Sequence, residues 1–410
     1  MPTAPAVSIV LATHNRRDVV LHTLEQIEQC GLPRDQFEVI VVDNASTDGT
    51  PDALRDQPGV HVERLDRNLG SCAKALGVER ARGQFVVFLD DDSYPRPGCL
   101  VRLLAHFAAD AQLGAAGFTV HLPDGTQECS ALPHAFVGCG VGFRAGALRQ
   151  AGGLDLSFFM QAEEYDLSWR LLQAGWKVEV LADLQVKHLK SPTARRSERV
   201  TFYDVRNNLR IIGRYLPPTY AEVYREDWLQ RYHWIAAQAG HQAAFEQGRA
   251  AGEDLAVQER HTYQRWRLSP DVLEHVFCWA LIERQMTALY AQGIRRIVLV
   301  DLGKNVYAFH RGAGAAGLDA LAIADDRLSA PDRTYRDTPL LPTSDALALD
   351  AQAYVVSNTS YVHAQRRQAG LAQLTDRPIY NWFPPPGDPA HSVPSTHPSQ
   401  GVLAMTGSAL

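Results

Sequence analysis

The stretch Phe85-Val-Val-Phe-Leu-Asp-Asp-Asp-Ser93 decides how the first part of this chain is interpreted. Its five apolar residues, rich in Val and Phe, predict a buried strand. Three carboxylates follow directly, at Asp90, Asp91 and Asp92. Carboxylates that are packed together repel each other, and they resist burial unless a cation compensates them. The stretch therefore indicates either a divalent cation held by oxygen ligands at the end of a strand, or a solvated acidic turn.

The composition is that of a globular protein with two or three domains. At 410 residues the chain exceeds one typical core, and 46% apolar with 21% charged residues is ordinary. The net charge of -6 disfavours nucleic-acid binding. The six cysteines form no C-x-x-C pair, which favours reduced thiols in a cytoplasmic protein. Neither a membrane span nor a secretory signal is present, so a membrane-bound substrate would be reached from the surface.

Residues 1–218 alternate strand and helix patterns, which predicts an α/β domain. Four strands are predicted at 7–12, 37–42, 60–65 and 85–89, with helices at 19–30, 71–81 and 98–109. Residues 114–153 indicate antiparallel strands and loops. A helix at 162–174, short strands at 176–182 and 184–186, and a helix at 199–215 complete this predicted domain.

The rest of the chain divides into a helical connector and a second α/β unit. Residues 219–292 are helical in pattern, and their aromatic residues either pack in a core or shape an acceptor cleft: Trp228, Tyr232, Trp234, Trp266 and Trp279. Residues 293–383 predict a small Rossmann-like domain, with strands at 296–300, 320–323 and 353–357.

That second unit lacks a complete nucleotide-binding motif. A full G-x-G-x-x-G is absent after the strand that ends at Asp301, although Asp325 lies where a ribose-binding acid is often found. We therefore expect a structural or dimerising module without a cofactor. The tail at 384–410 is rich in Pro, Ser, Gly and His, and we expect it to be mobile.

Polar residues end each of the first four predicted strands. They are Thr13-His-Asn-Arg16, Asp43-Asn44, Asp66-Arg-Asn68 and Asp90-Asp-Asp92. In open α/β sheets, ligands bind beyond the carboxyl ends of the strands. Four such endings together predict a polar site along one edge of the sheet.

The order and spacing of these motifs resemble the family-two glycosyltransferases with the GT-A fold. The matching residues are Val7–Arg16, Val41–Gly49, Asn68–Gly70, Phe88–Asp92, Gly152–Asp155, Glu163–Arg170, Ala174–Trp176, Val186–His188 and Arg206–Asn207. The resemblance implies a mixed-sheet GT-A domain over about the first half of the chain. It also implies inverting, metal-dependent transfer of a hexosyl or deoxyhexosyl group in polysaccharide or glycoconjugate biosynthesis.

The implied substrates are a nucleotide-diphosphate sugar, of the UDP or dTDP type, and a hydroxyl acceptor that is a saccharide, a glycolipid or a small molecule. Two other functions stay open. One is a non-catalytic nucleotide-sugar-binding protein with the same fold. The other is a sugar nucleotidyltransferase, which is disfavoured because residues 13–16 do not form the Gly-rich loop that such an enzyme needs.

The resemblance assigns donor-binding roles to four residues near the strand ends. Asp43 would accept the ring N–H of the nucleobase, since a carboxylate accepts hydrogen bonds. Thr13 and Asn15 would line the same pocket, and Arg67 would lie beside the base or the phosphates. The alternatives are a local Asx-turn for Asp43 and a surface position for Arg67.

The acidic triplet divides between the sugar nucleotide and the cation. The resemblance assigns Asp92 to the metal, while Asp90 and Asp91 serve the ribose and the surrounding shell in no fixed order. His188 would complete a Mn²⁺ or Mg²⁺ site. The alternative for His188 is a hydrogen-bonded histidine in a loop.

Glu164 is the expected general base, on the acceptor side of the reaction. The family usually shows Glu-Asp where this chain has Glu163-Glu164, so Glu163 and Asp166 are competing candidates. All three also suit a helix N-terminus, where acidic residues interact well with the helix dipole. The glycine-rich loop at 136–142 either borders the acceptor or packs tightly between strands.

Overall fold

A computed structural model describes residues 4–190 and 197–387; most of the tail for which mobility was expected, residues 388–410, lies outside the described residues. The strands of the first part are β1 Val7–Thr13, β2 Phe37–Asp43, β3 Val60–Arg64, β4 Phe85–Leu89, β5 Ser93–Pro95, β6 Leu113–His121, β7 Gln127–Glu128, β8 Gly140–Arg144 and β9 Lys177–His188. Its helices are α1 Arg17–Glu28, α2 Thr50–Arg55, α3 Lys74–Val78, α4 Cys99–Ala109, α5 Ala145–Gln150, α6 Glu163–Gln173 and α7 Glu198–Tyr215.

These strands form one mixed sheet in the order β3-β2-β1-β4-β8-β6-β9-β5, and β7 pairs with β6 at its side. Strands β3, β2, β1 and β4 run parallel, whereas β8 is antiparallel to β4. Strands β1, β2 and β4 are mainly apolar and buried, as expected where both faces of a sheet are covered, whereas the edge strand β3 is partly exposed. The parallel half therefore places the carboxyl ends of its strands along one edge.

The register of the sheet sets the geometry of that edge. Thr13 of β1 is paired with Asp43 of β2. At the far side of the sheet, the short strand β5 pairs antiparallel with β9, so that Ser93 lies opposite His188. This pairing brings a residue distant in sequence next to the acidic triplet.

Three local expectations were wrong. The two short strands expected at 176–182 and 184–186 are one continuous strand, β9, because it pairs with β6 on one side and β5 on the other. The helix expected at 71–81 is shortened to α3, after a 3₁₀ turn at Gly70–Ala73. Residues 145–150, expected within a region of strands and loops, form the helix α5.

The helical segment follows as α8 Pro218–Ala239, α9 Gln242–Glu259, α10 Pro270–Phe277 and α11 Trp279–Ala291. Helix α9 packs very closely against α7. A Cβ added at Gly248 would lie 2.6 Å from the carbonyl oxygen of Phe202, and one at Gly252 would lie 2.7 Å from that of Arg206. Small residues on α9 thus allow backbone-to-backbone contact.

A buried ionic cluster closes the same region. Arg214 of α7 donates to Asp166 of α6 (2.8 Å), to Asp155 (2.8 Å) and to Glu259 of α9 (2.6 Å). The Arg214 side chain is only 1% exposed, so these carboxylates must compensate its charge. The cluster fixes α6, α7 and α9 to one another.

The C-terminal unit consists of β10 Arg296–Val300, α12 Val306–Ala316, β11 Asp319–Ala324, β12 Thr334–Tyr335, β13 Thr338–Leu341, α13 Thr343–Leu347, β14 Ala353–Val356, α14 Tyr361–Leu371 and β15 Ile379–Tyr380. Its sheet has the order β12-β13-β11-β10-β14-β15 and is parallel except for β12. Asp325 accepts hydrogen bonds from the backbone N–H groups of Leu302, Arg327 and Leu328. This side chain therefore braces the loop after β10.

One hydrophobic core runs through all three parts of the chain. The same cluster of buried residues contains Trp169 of α6, Trp228 of α8, Phe277 of α10 and Ile297 of β10. Most of the aromatic residues of the helical segment belong to this core or pack against it, as the core-packing alternative expected. Within the described residues, no helix combines the length and the apolar character needed to cross a bilayer.

Candidate active site

Asp43 offers a buried acceptor at the end of β2. The residue is fully buried, and its Oδ1 accepts a hydrogen bond from the backbone N–H of Ser46 (3.1 Å). Within the described part of the chain its Oδ2 has no hydrogen-bond partner, and the nearest cation is Arg64 at 3.7 Å. The Asx-turn considered for Asp43 therefore forms, and one carboxylate oxygen remains for another donor.

Asn15 and Arg67, the other residues predicted near the nucleotide, differ in their contacts: Asn15 bonds to a neighbouring loop, and Arg67 is exposed. The side-chain oxygen of Asn15 accepts from the backbone N–H of Thr47 (2.7 Å), which ties the end of β1 to the loop after β2. Arg67 is exposed, and in the described residues its side chain has no hydrogen bond or ion pair within range. The cation nearest to Asp43 is Arg64 instead.

The acidic triplet separates into three environments. Asp90 is partly exposed and accepts from Lys74 Nζ (2.8 Å). Asp91 is buried and accepts from Thr13 Oγ1 (2.7 Å), and burial raises its pKa to about 6 despite the opposing charge of Arg16. Asp92 is also buried, and it lies beside His188. Thr13 thus lies at the predicted edge and supports Asp91.

Arg16 and His188 hold Asp92 in its charged form. Arg16 bridges two carboxylates, with Nη1 2.8 Å from Asp91 Oδ1 and Nη2 2.8 Å from Asp92 Oδ2. His188 Nε2 lies 3.2 Å from Asp92 Oδ1. Burial alone would raise the pKa of Asp92, but His188 and Arg16 lower it to about 2. Asp92 is therefore a carboxylate at neutral pH.

His188 lies between two carboxylates, with Nδ1 3.3 Å from Glu128 Oε2 on the side opposite Asp92. Burial opposes the imidazolium, but Cys139 and the hydrogen bonds to Asp92 and Glu128 raise the pKa of His188 well above its ordinary value. Ligand atoms of Asp90, Cys139 and His188 all lie within 4.8 Å of one another. Carboxylate oxygen and imidazole nitrogen fit a divalent transition metal such as Mn²⁺, whereas the Cys139 thiol is a softer ligand than Mn²⁺ or Mg²⁺ prefers.

Sequence reasoning missed Arg16, Lys74 and Glu128. Lys74 is buried and donates both to Asp90 (2.8 Å) and to the carbonyl oxygen of Gly138 (2.9 Å). Its position at the start of α3 gave no signal. The sequence did give a signal for Arg16, because this residue follows Asn15 directly in a matching motif. A single arginine after a strand is nevertheless too common for its partner to be inferred.

The three acidic residues at the start of α6 point to different surroundings. Asp166 is bound by Arg170, Arg214 and Tyr215 within the ionic cluster. Glu163 is buried and accepts from Ser71 Oγ, and its other carboxylate oxygen has no partner among the residues that the structure describes. Burial and the charge of Glu164 raise the pKa of Glu163 to about 8, so it carries a proton at neutral pH.

Glu164 is the acid of this group that faces open space. It lines a cavity of about 250 Å³ together with Phe136 and Val137 of the glycine-rich loop. A Cβ added at Gly138 in this loop would lie 3.3 Å from Glu164 Oε1. Gly140 and Gly142 instead pack against Val186 and Leu103 in the sheet. One part of the loop therefore packs tightly between strands, as one alternative expected, while another part borders the cavity that Glu164 lines.

Residues 8–149 match the sequence profile of the family described as glycosyl transferase family 2. The succinoglycan biosynthesis protein ExoO of Rhizobium meliloti is 34% identical over 157 residues, 34% of this chain and 44% of ExoO. The poly(ribitol-phosphate) beta-N-acetylglucosaminyltransferase TarS of Staphylococcus aureus is 33% identical over 92 residues, 21% of this chain and 16% of TarS. The chain spans less than half the length of these two relatives.

Among solved structures, a mannosyltransferase from Pyrobaculum calidifontis, in complex with GDP-Man and Mn²⁺, is similar with a TM-score of 0.44 and 18% identity. The alignment covers 77% of this chain and 86% of that one. The first sheet has the mixed α/β arrangement of a GT-A domain, and a helical segment and a small Rossmann-like unit follow it. Residues 8–149, about a third of the chain, carry the glycosyl transferase family 2 domain.

Proposed function

We propose that this chain is an inverting, metal-dependent glycosyltransferase that moves a sugar from a nucleotide diphosphate to an acceptor hydroxyl. The observation that carries this proposal is the position of Gly138 between two sets of carboxylates. Its carbonyl oxygen accepts from Lys74, which also binds Asp90, while its Cα faces Glu164. A strand-end acidic site and a cavity-facing acid therefore flank the same loop.

The donor would bind along the carboxyl ends of β1, β2 and β4. The unpaired Oδ2 of Asp43 suits a ring N–H, which uracil and thymine both offer. Asp90 is the accessible acid of the triplet and suits the ribose, while Asp91 is engaged with Thr13 and Arg16 as part of the surrounding shell. Asn15 would shape the pocket from its loop, and the exposed Arg67, which has no hydrogen bond or ion pair to the described residues, would reach the phosphates.

Asp92 and His188 would hold the cation, which would displace the proton of His188 on binding and supply positive charge against the leaving nucleoside diphosphate. Their convergence at 3.2 Å and their burial support this pairing. The imidazole favours Mn²⁺ over Mg²⁺. All six cysteines are free, which suits a reducing compartment, and the cytoplasm is the location proposed.

Glu164 would act as the general base. The acceptor oxygen forms a bond to the anomeric carbon as the bond from that carbon to the phosphate oxygen breaks, and the hydroxyl proton passes to the Glu164 carboxylate. Nucleoside diphosphate leaves with the bonding electrons. Glu163 is protonated and buried and Asp166 is bound by arginines, so neither is available for this role.

A panel of nucleotide sugars with Mn²⁺ tests the proposal, with release of nucleoside diphosphate as the measurement. We expect one donor to be turned over, and Glu164→Gln to lower kcat by roughly 10²–10⁴-fold. The matched control is Glu163→Gln, which replaces a neutral acid with a neutral amide and should retain most of the activity.

Binding of a donor without any turnover would favour the non-catalytic binding protein instead. Full activity in Glu164→Gln would remove Glu164 from the role of base. Equal donor binding with and without Mn²⁺ would remove the metal from the proposal.

A further inference from the structure

The cavity in front of Glu164 is walled by all three parts of the chain. The first domain contributes Glu164, Tyr165 and Asn208, the helical segment contributes Arg231, and the C-terminal unit contributes Lys304 and His363. At about 250 Å³ it is slightly smaller than the ~300–1,000 Å³ pockets of drug-sized ligands. It therefore has room for a ligand of about one sugar residue.

Lys304 is held in the wall of this cavity by an aromatic cage. Its Nζ lies 4.2 Å from the ring centre of Tyr165 and 4.3 Å from that of Trp228, and it donates to Asn208 Oδ1. Its carbonyl oxygen accepts from Trp228 Nε1 (2.8 Å). The ammonium group thus has a fixed position, which lowers the entropic cost of binding a ligand.

Two basic side chains, Arg231 of α8 and Lys304 of the C-terminal unit, lie together in the wall of the cavity. Arg231 donates through Nε to the carbonyl oxygen of Leu302 (3.1 Å), which places its guanidinium beside Lys304. Burial lowers the pKa of Lys304 to about 7, and the charge of Arg231 adds to that effect while Asp204 and Glu164 oppose it. The pKa of His363 at the cavity is lowered by burial and by Arg366, Arg231 and Arg327.

The carboxylates that line the cavity belong to the first domain. Glu164 belongs to α6, and Glu128 is engaged with His188 and Lys190 near the strand-end site. Asp204 of α7 lies near Lys304 and offsets part of the positive charge. A buried lysine that is only partly charged gains most from a ligand that brings a negative charge with it.

We propose that this cavity binds the acceptor, and that the acceptor carries a carboxylate or phosphate group, which Lys304 and Arg231 bind while its hydroxyl faces Glu164. This inference rests on the proposed function and adds the chemical class of the acceptor to it. It also gives the C-terminal unit a direct part in substrate selection. The bidentate guanidinium and the caged ammonium would fix the anionic end of the ligand.

The test measures binding of three probes to the full-length protein by calorimetry, at constant ionic strength: glucose, glucuronate and glucose 6-phosphate. We expect one or both anionic sugars to bind roughly 10- to 100-fold more tightly than glucose, the range for a hydrogen-bonded charge. Preference for glucuronate alone identifies a carboxylate acceptor, and preference for glucose 6-phosphate alone identifies a phosphate acceptor.

Lys304→Met and Arg231→Gln should each remove most of this preference. The second variant guards against a failure of the first to fold, and thermal denaturation checks both. Lys177→Met is the matched control, because Lys177 pairs with Asp110 outside the cavity and its loss should leave the preference unchanged. Equal binding of glucose and both anionic sugars, or an unchanged preference in both cavity variants, would overturn the inference.

Donor binding with Mn²⁺ is measured on the same samples. If no nucleotide sugar binds, the proposed function itself fails. If a donor binds but the anionic sugars show no advantage, only the acceptor class is wrong.

Discussion

Glu163 and Glu164 are neighbours in sequence but occupy opposite surroundings. Glu163 is buried next to Ser71, whereas Glu164 lines the open cavity. The first turn of α6 directs one side chain inward and the next toward the ligand space. Burial raises the pKa of Glu163, whereas Glu164 lies at the cavity, and the sequence Glu-Glu does not distinguish the two positions.

Glu163→Gln should change how stability depends on pH. In wild type the Glu163 carboxyl has an ordinary pKa of 4.5 when unfolded and about 8 when folded. Between these values the folded state binds more protons than the unfolded state, so stability falls as pH rises. Because the amide does not titrate, the variant lacks this loss of stability. Urea unfolding should therefore show the free energy of unfolding of Glu163→Gln rising relative to that of wild type from about pH 4.5 to about pH 8. A difference in unfolding free energy that does not change with pH would contradict the raised pKa of Glu163.

Asp43→Asn should weaken binding of the nucleotide without unfolding its loop. The asparagine oxygen can still accept from Ser46, so the Asx-turn is kept. The charged acceptor for a ring N–H is lost, which costs about 1.5–3 kcal/mol. Calorimetry with UDP should then show a Kd about 10- to 100-fold weaker. An unchanged Kd for UDP in a variant with a native circular dichroism spectrum would mean that Asp43 does not bind the nucleobase.

The strand-end residues of the site were accessible to sequence reasoning, but their partners were not. Parallel strands place Asp43 and the acidic triplet on one edge wherever the exact ends fall. Arg16, Lys74 and Glu128 reach the site only through three-dimensional packing. Whether Asp91 faces inward and Asp90 outward depends on the turn that follows β4, which periodicity does not determine.

At the level of elements, long strands with a clear apolar pattern were predicted well. Strand β4 has the predicted bounds, and β1 and β2 each extend one residue further. The short strand β5, which the pattern did not predict, exists because β9 pairs with it. Its three residues carry no periodicity of their own, so only the tertiary partner could reveal them. The same pairing made β9 continuous.

The close packing of α7 and α9 predicts that a Gly→Ala substitution in α9 destabilises the protein, opposite to its usual effect in a helix. Gly→Ala in a helix usually stabilises by about 0.5–1 kcal/mol. Gly252→Ala should instead destabilise by about 1–3 kcal/mol, because its Cβ would lie 2.7 Å from the carbonyl oxygen of Arg206. Gly314→Ala in α12 is the control, since nothing lies within 4 Å of its Cβ, and it should stabilise. Urea unfolding measures the stability of both variants, and a stabilised Gly252→Ala variant would contradict the close contact between α7 and α9.

At the level of the whole molecule, the shared core predicts one cooperative unfolding transition. Trp169, Trp228, Phe277 and Ile297 belong to one buried cluster although they come from three segments of the chain. Scanning calorimetry should therefore give a single peak with equal calorimetric and van't Hoff enthalpies. Two separated peaks would mean that the boundaries predicted at 218 and 292 divide independent folding units. Those boundaries remain predictions.

The wall of the cavity is assembled from distant parts of the polypeptide, and this has a consequence for biosynthesis. Glu164 and Lys304 are separated by 140 residues, which a ribosome adds in roughly 7–28 s at ~5–20 residues per second. Once β9 is complete at His188, the nascent chain contains every strand of the first sheet but still lacks Lys304 and His363. A prematurely terminated product would lack the C-terminal wall of the cavity together with the part of the shared core that the last segment supplies, so we expect it not to fold stably.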